Sequence, residues 1–272
     1  MERLIVLGTG AANALRYYNT CFMLQGPQGG LLVDGGGGNG ILVQLEKAGL
    51  SLLDLTDIFV THQHIDHSLG VIWLVRMVSS LFLREKRSDL LRIHCHTRLS
   101  EKLRAICQFT LSEKQFSTVG TSIRFMPVQD GEQRVIAGHT VTFFNTHSRK
   151  AEQFGFHMES PEGQRIVCTG DEPCQPACGH YLESADWLFH EAFCLDAEAG
   201  IFRPRLIGHG TVREAALLAG KHHVRNLVLW HTEDRTPPAL RKERYTEEAR
   251  QAYRGGVYVP DDLEVIDLGA KR

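Results

Sequence analysis

Four side chains that can bind a metal ion occur within six residues, and they are His62, His64, Asp66 and His67. They directly follow Ile58-Phe59-Val60, a β-branched and aromatic run typical of a buried strand. Residues two apart at an extended strand end point to the same side, so the first two imidazoles face one way. Asp66 and His67 follow where the chain is predicted to turn into a helix. One short loop can thus supply two ligands to each of two neighbouring cations.

Further metal donors occur where other predicted strands end. His147 follows the strand pattern Val141–Thr146, and His231 follows Leu227–Trp230. Asp171 comes after another apolar run and a glycine. Buried strands carry such polar residues to one rim of a sheet. Each of the three taken singly is equally compatible with an ordinary surface or core residue, whereas together they complete a set of seven donors.

The rest of the chain alternates β-rich and helical blocks. A hairpin is predicted from Thr20–Leu24 and Leu31–Val33, and the main helices are predicted at Leu69–Phe82, Val212–Gly220 and Glu247–Arg254. No repeat, low-complexity linker or composition break divides the chain. We therefore predict a single α/β domain over residues 1–272, with two packed sheets and helices outside.

Composition narrows the class of protein and the compartment. Hydrophobic residues make up 43% and charged residues 23% of the 272 residues, as in ordinary globular proteins. A formal net charge of −2 provides no global basic field for nucleic acid. The apolar run at the N-terminus is too short for a signal peptide, and no stretch approaches about 18 apolar residues, so we expect no membrane partner. Seven cysteines, an odd number, favour reduced thiols and a cytoplasmic location.

The His-x-His-x-Asp-His run, a later lone histidine, a Gly-Asp pair and a last strand ending in histidine resemble the pattern of the metallo-β-lactamase superfamily. The resemblance narrows to its ribonuclease Z-like branch through further segments spread along the chain: Leu7-Gly8-Thr9-Gly10, Leu32-Val33-Asp34-Gly35, Thr146-His147-Ser148, His190-Glu191-Ala192 and Gly208-His209-Gly210-Thr211. It implies the four-layer αββα sandwich of that superfamily, with two mixed sheets and outer helices.

The resemblance also implies a dinuclear site with a bridging hydroxide as the nucleophile. It assigns the donors to a first ion (His62, His64, His147), a second ion (Asp66, His67, His231) and a bridge between them (Asp171). Nitrogen and oxygen donors without thiolate favour zinc, with manganese and iron as alternatives. Asp66 is also expected to orient or deprotonate the nucleophile.

In ribonuclease Z-like enzymes a glutamate and a histidine together protonate the leaving oxygen. Glu191 and His209 stand at the matching positions. A carboxylate beside an imidazolium stabilises the charged donor, so the pair suits this task. The alternative is that both residues are structural.

The expected activity is that of a zinc-dependent hydrolase acting on phosphodiesters. Enzymes of the branch that process tRNA carry an extended arm between the lone histidine and the Gly-Asp motif. Only 23 residues separate His147 from Asp171 here, and they contain three strong cations. We therefore expect a small or cyclic phosphodiester, such as a cyclic nucleotide or a cyclic sugar phosphate, as the partner, rather than RNA.

Several alternatives stay open at this point. The chain could be a ribonuclease Z-type tRNA 3′-processing endonuclease, or it could hydrolyse a thioester or lactone. Di-iron redox chemistry is less favoured because His64 stands where such enzymes have glutamate, and a non-catalytic role is less favoured because all seven donors are present. A homodimer is a further expectation. An accessory metal site made of Cys174, Cys178 and His180 is also left open.

Overall fold

A computed structural model describes residues 1–269 of the chain. It contains the predicted alternation of β-rich and helical blocks. The strands are β1 (Arg3–Gly8), β2 (Cys21–Gly26), β3 (Gly29–Val33), β4 (Asp57–Phe59), β5 (Leu91–His96), β6 (Ile123–Val128), β7 (Gln133–Ile136), β8 (His139–Asn145), β9 (Phe154–Glu159), β10 (Arg165–Cys168), β11 (Trp187–Glu191), β12 (Asn226–Trp230), β13 (Gly256–Tyr258) and β14 (Val265–Asp267). The α-helices are α1 (Gly40–Lys47), α2 (Ile65–Leu83), α3 (Thr97–Thr110), α4 (Glu113–Phe116), α5 (Gly179–Leu182), α6 (Ala199–Phe202), α7 (Val212–Lys221) and α8 (Pro238–Ala252).

Two compact units make up the described chain. The first unit contains Met1–Gly8, Thr20–Gln129 and the C-terminal stretch from Leu263, and the second contains Thr9–Asn19 and Asp130–Asp262. Each unit holds one seven-stranded mixed sheet. The single domain over residues 1–272 stays a prediction.

The sheet of the first unit has the strand order β14-β1-β2-β3-β4-β5-β6. β2 and β3 pair antiparallel, which confirms the predicted hairpin, and β3 to β6 run parallel. Because parallel strands end at the same edge of a sheet, the residues that follow β3 and β4 are brought to one edge. Asp34 follows β3, and Thr61 and His62 come shortly after β4.

Helix α2 begins four residues earlier than the predicted Leu69, so Asp66 and His67 lie in its first turn rather than in a loop. A carboxylate there is favourable because the helix N-terminus carries partial positive charge. The helix lies so close to the β3–α1 loop that a Cβ added to Gly70 would lie 1.8 Å from the carbonyl oxygen of Gly35. Only glycine permits this approach, which holds the donor-bearing turn against the loop.

By length and composition alone, α2 also meets the criterion for a membrane-spanning helix, contrary to the expectation that no stretch would approach it. Half of the tested segment is buried inside the structure, and core helices pass the same test. Its buried residues include Val71, Leu74, Val75 and Val78.

The sheet of the second unit has the order β13-β12-β11-β10-β9-β8-β7, with β10 to β13 parallel and the rest antiparallel. Asp171 follows β10, Glu191 ends β11 and His231 follows β12, so one edge of this sheet carries all three. Helix α7 confirms the predicted helix, and its start is fixed by a reciprocal capping pair between Thr211 and Glu214.

Helix α8 begins at Pro238, nine residues before the predicted Glu247. The first half of α8 contains two arginines and a lysine, so apolar periodicity did not reveal it as a helix. Arg241 is nevertheless fully buried. Its guanidinium donates to Thr9, Thr232 and the carbonyl of Pro260, which ties α8 to the residue after His231.

Candidate metal centre

The first unit brings together the four donors of the histidine-rich segment. His62 Nε2 lies 2.8 Å from His64 Nδ1, and His67 Nε2 lies 3.3 Å from a carboxylate oxygen of Asp66. The rings of His62 and His67 are 4.3 Å apart. All but the half-buried His64 are buried. Imidazole nitrogens and carboxylate oxygens converging in this way fit a borderline or hard divalent cation.

Asp34 also belongs to this centre, although its place in the segment Leu32-Val33-Asp34-Gly35 did not predict a role for it. Its carboxylate lies 2.7 Å from His67 Nδ1 and accepts hydrogen bonds from the backbone and hydroxyl of Thr61, each at 2.8 Å. Burial alone would lower the pKa of His67, but the charge and hydrogen bond of Asp34 outweigh it and raise that pKa well above its ordinary value. A carboxylate behind a ligating imidazole fixes the ring and its tautomer, so that Nε2 is left to bind the metal.

We expect Asp34→Asn to weaken metal binding by about 10- to 100-fold, as is typical when a partner of a ligating histidine is lost. Asparagine keeps the size of the side chain and tolerates the left-handed backbone found here (φ 59°). Competition with a coloured chelator measures the affinity.

Asp57→Asn is the matched control, because Asp57 is another buried acid of the same unit that pairs with a histidine, His94, at 2.8 Å. It is expected to leave metal affinity unchanged. Equal affinity in the Asp34 variant and the wild type would show that this carboxylate does not support a ligand.

The second unit holds a buried donor group at the edge of its sheet. Asp171, His209 and His231 each place one ligand atom within 4.8 Å of the others. Asp171 Oδ2 lies 3.7 Å from His231 Nε2, and Asp171 Oδ1 accepts a hydrogen bond from the Gln153 side-chain amide. The group therefore unites two sequence-predicted ligands with His209, which was assigned as a proton donor.

His147 differs from the other predicted donors because it is exposed. Its backbone N–H donates to the Asn145 side chain at 2.7 Å, and its φ is 56°. In the described part of the second unit, His147 is not a member of the donor group formed by Asp171, His209 and His231. Its assignment as a ligand stays a prediction. Left-handed backbone recurs at His231, where φ is also 56°.

The Glu191 carboxylate is fully buried, and both of its oxygens accept backbone N–H groups. One accepts from Gly210 at 2.6 Å and the other from Phe193 at 3.1 Å. His209 Nδ1 lies 3.6 Å away, which is beyond hydrogen-bond length. Glu191 therefore fixes the loop that carries His209, and its contact with the imidazole is looser than the expected pair.

Burial shifts the pKa values of both Glu191 and His209. It raises the pKa of Glu191 to about 7, and it lowers the pKa of His209, where the nearby charge of Lys150 acts in the same direction. The His209 ring stacks on Phe193 with centroids 5.1 Å apart and an interplanar angle of 15°. The imidazole is thus held rigidly beside the donor group in a setting that favours its neutral form.

Each of the three residues of the suggested accessory site has a backbone carbonyl partner, which for the Cys174 thiol is that of Gln175 at 3.6 Å. His180 is exposed and its Nδ1 lies 2.9 Å from the carbonyl of Ala177, while the thiol of Cys178 donates to the carbonyl of Asn145 at 3.3 Å. Among residues 1–269, no group of converging donors contains Cys174, Cys178 and His180. The seven cysteines are all free thiols.

Comparison with known proteins agrees with this fold. The fold matches the metallo-β-lactamase-fold protein YhfI from Bacillus subtilis, with a TM-score of 0.78, 21% identity and coverage of 97% of this chain and 98% of that one. It also matches the short form of human tRNase Z, with a TM-score of 0.73, 24% identity and coverage of 98% and 100%. A ribonuclease Z from Thermococcus sibiricus is 27% identical over 100% of this chain and 98% of its own length.

The fold and the donor groups together define a hydrolase of the metallo-β-lactamase superfamily, similar to ribonuclease Z. This confirms the predicted fold class of two mixed sheets with flanking helices. The family model of the anti-Pycsar protein Apyc1 matches residues 2–244, and the chain belongs to that family.

Proposed function

We propose that this protein is a metal-dependent phosphodiesterase that hydrolyses a small or cyclic phosphodiester, with cyclic nucleotides as the leading substrate class and a cyclic sugar phosphate as the next. The observation that carries the proposal is the buried group of Asp171, His209 and His231, in which two predicted metal donors lie beside an imidazole suited to proton transfer. Hydrolysis of a phosphodiester needs both a metal ion and a proton donor, because the negative charge of the diester must be neutralised and its leaving oxygen must be protonated.

The proposed cofactors are two divalent metal ions, with zinc preferred. The donors assigned to them are the seven that the sequence predicts: His62, His64, Asp66, His67, His147, Asp171 and His231. Such an ion pair, when bound, supplies an activated water and neutralises charge on the phosphoryl group. Asp66 lies in the first turn of α2 and is proposed to orient that water or to accept its proton.

His209 is proposed to donate a proton to the leaving oxygen through Nε2. The negative charge of the bound phosphodiester would favour the imidazolium form, which burial and Lys150 otherwise disfavour. The His209 ring is held on one side by Phe193. Glu191 holds the backbone of the next residue, Gly210, so the loop carrying the imidazole is fixed. A preorganised donor of this kind contributes most when the leaving group is a poor one, as an alkoxide is.

The interval between His147 and Asp171 supports a small substrate. Ten of its 23 residues form the strands β9 and β10, which pair antiparallel through a short turn at residues 160–164. This fully described interval contains no long arm of the kind that grips tRNA. The second candidate function, tRNA 3′ processing, is favoured by the full-length similarity to the ribonuclease Z relative.

We expect precursor tRNA to be a poorer substrate than cyclic nucleotides by at least about tenfold in kcat/KM, because no arm adds phosphate contacts. Both substrates are assayed with the same metal-loaded preparation, and bis(p-nitrophenyl) phosphate serves as a control for general diesterase activity. Efficient endonucleolytic cleavage at the 3′ end of the tRNA precursor, with weak activity on small diesters, would instead establish the second candidate.

The homodimer and the cytoplasmic location remain parts of the proposal. The free state of all seven cysteines agrees with a reducing compartment.

A further inference from the structure

We propose that Lys150 is a substrate-binding residue that pairs with the phosphodiester anion beside His209. This inference rests on the proposed function and adds a residue that lies outside the metal donors and the proton-donor pair. Lys150 belongs to the loop that follows β8, in the second unit. Its Nζ lies 3.3 Å from His209 Nε2 and 3.8 Å from a carboxylate oxygen of Glu172. The ammonium therefore stands at the atom through which His209 is proposed to act.

The loop that carries Lys150 is folded around a buried carboxylate. Glu172 is 6% exposed, and it accepts hydrogen bonds from the Ser148 hydroxyl at 2.5 Å and the Arg149 backbone at 3.4 Å. The same hydroxyl accepts the backbone N–H groups of Lys150 and Ala151, each at 3.2 Å. Because Glu172 follows Asp171 directly, the loop is tied to the residue beside the donor group.

The aliphatic part of Lys150 lies against Gly208. A Cβ added to Gly208 would come within 2.9 Å of Lys150 Cε and 3.0 Å of Cδ, and Gly208 has a positive φ of 75°. The absence of a side chain there lets the lysine cross the backbone next to His209. Three separate features thus position the ammonium next to His209: the folded loop, the carboxylate of Glu172 and the lack of a side chain at Gly208.

The charges around Lys150 favour a substrate role over a purely structural one. An ammonium has three donor protons, and among the described residues its side-chain partners are one imidazole and one carboxylate at ion-pair distance. The side chain is 27% exposed, so a ligand can reach it. An ammonium at the place where a leaving oxygen gains negative charge also stabilises the transition state. A phosphodiester monoanion fits this cation, whereas a neutral ester does not need it.

The test compares Lys150→Met with Lys150→Arg and with the matched control Arg149→Met, which removes the exposed neighbouring cation of the same loop. Calorimetry measures binding of a phosphorothioate analogue of cyclic AMP to the metal-loaded protein. Lys150→Met is expected to weaken binding by about 10- to 100-fold, the usual effect of losing a charged hydrogen bond. KM for cyclic nucleotides should rise by a similar factor. Lys150→Arg should restore at least part of the affinity, and Arg149→Met should change it by less than about threefold.

Two further measurements separate anion binding from a structural role. Metal content should be the same in Lys150→Met as in the wild type, and the rate on a neutral ester, p-nitrophenyl acetate, should fall far less than the rate on diesters. A loss of neutral-ester activity as large as the loss on diesters would overturn the inference, because it would mean that Lys150 shapes the site.

The failure of this inference can be told apart from failure of the proposed function. If the wild type hydrolyses cyclic nucleotides and Lys150→Met binds the analogue equally well, only the role of Lys150 is wrong. If the wild type hydrolyses no phosphodiester, the proposed function is wrong, and the calorimetry still decides about Lys150. No binding by the wild type, or equal binding by the variant, then overturns the inference, while selective weakening supports an anion site.

Discussion

Replacing His209 with alanine will slow hydrolysis of cyclic nucleotides by about 100-fold or more, because general acid catalysis typically contributes that much. The loss should be much smaller for bis(p-nitrophenyl) phosphate, because p-nitrophenolate departs with little protonation. Rates measured across diesters with leaving groups of graded pKa reveal the trend. A steeper dependence on leaving-group pKa in the variant identifies His209 as the proton donor.

The main competitor to this role is metal binding by His209 itself, since its imidazole lies in the donor group with Asp171 and His231. Metal content per chain distinguishes the two roles. His222→Ala is a suitable control, because His222 pairs with Glu183 at 3.1 Å elsewhere in the same unit. A uniform loss over all leaving groups, together with loss of metal, would show that His209 is a ligand.

Asp171→Ala is expected to remove both metal ions and to lower the diesterase rate by about 100- to 1,000-fold or more, because each ion would depend on this carboxylate in the proposed bridging role. Elemental analysis should give about two ions per wild-type chain and less than one per variant chain. His231→Ala is the comparison, since it is assigned to a single ion and should mainly empty that position.

Retention of one tightly held ion by Asp171→Ala would contradict a bridging role. The variant is also expected to release Gln153, whose amide donates to Asp171. Folding is checked separately by circular dichroism, so that loss of metal is not confused with unfolding.

Much of the candidate site could be predicted from sequence because its donors lie next to each other or directly after strands. The segment from His62 to His67 requires no tertiary information, since spacing alone puts its donors together. Asp171 and His231 could be found because buried strands end just before them. The edge of a sheet then determines their placement.

Residues that act through distant partners were the ones that sequence reasoning missed or assigned incompletely. Asp34 and His67 are 33 positions apart, and Lys150 and His209 are 59 positions apart. Nothing in local periodicity predicts such pairs. Glu191 is a similar case, because one of its two backbone hydrogen bonds comes from Gly210, which lies 19 positions further along the chain. The start of α8 was missed because its buried Arg241 looks like a surface residue in the sequence.

The left-handed backbone at His147 has a consequence for laboratory evolution of this protein. A non-glycine residue in that conformation costs roughly 1–2 kcal/mol, and glycine would relieve part of it. Because the His147 side chain is exposed, a selection that rewards heat tolerance alone would enrich glycine at this position. That gain deletes an imidazole assigned to the proposed metal site. Libraries of this protein should be screened for turnover in every round, because thermal survival and activity favour opposite choices there.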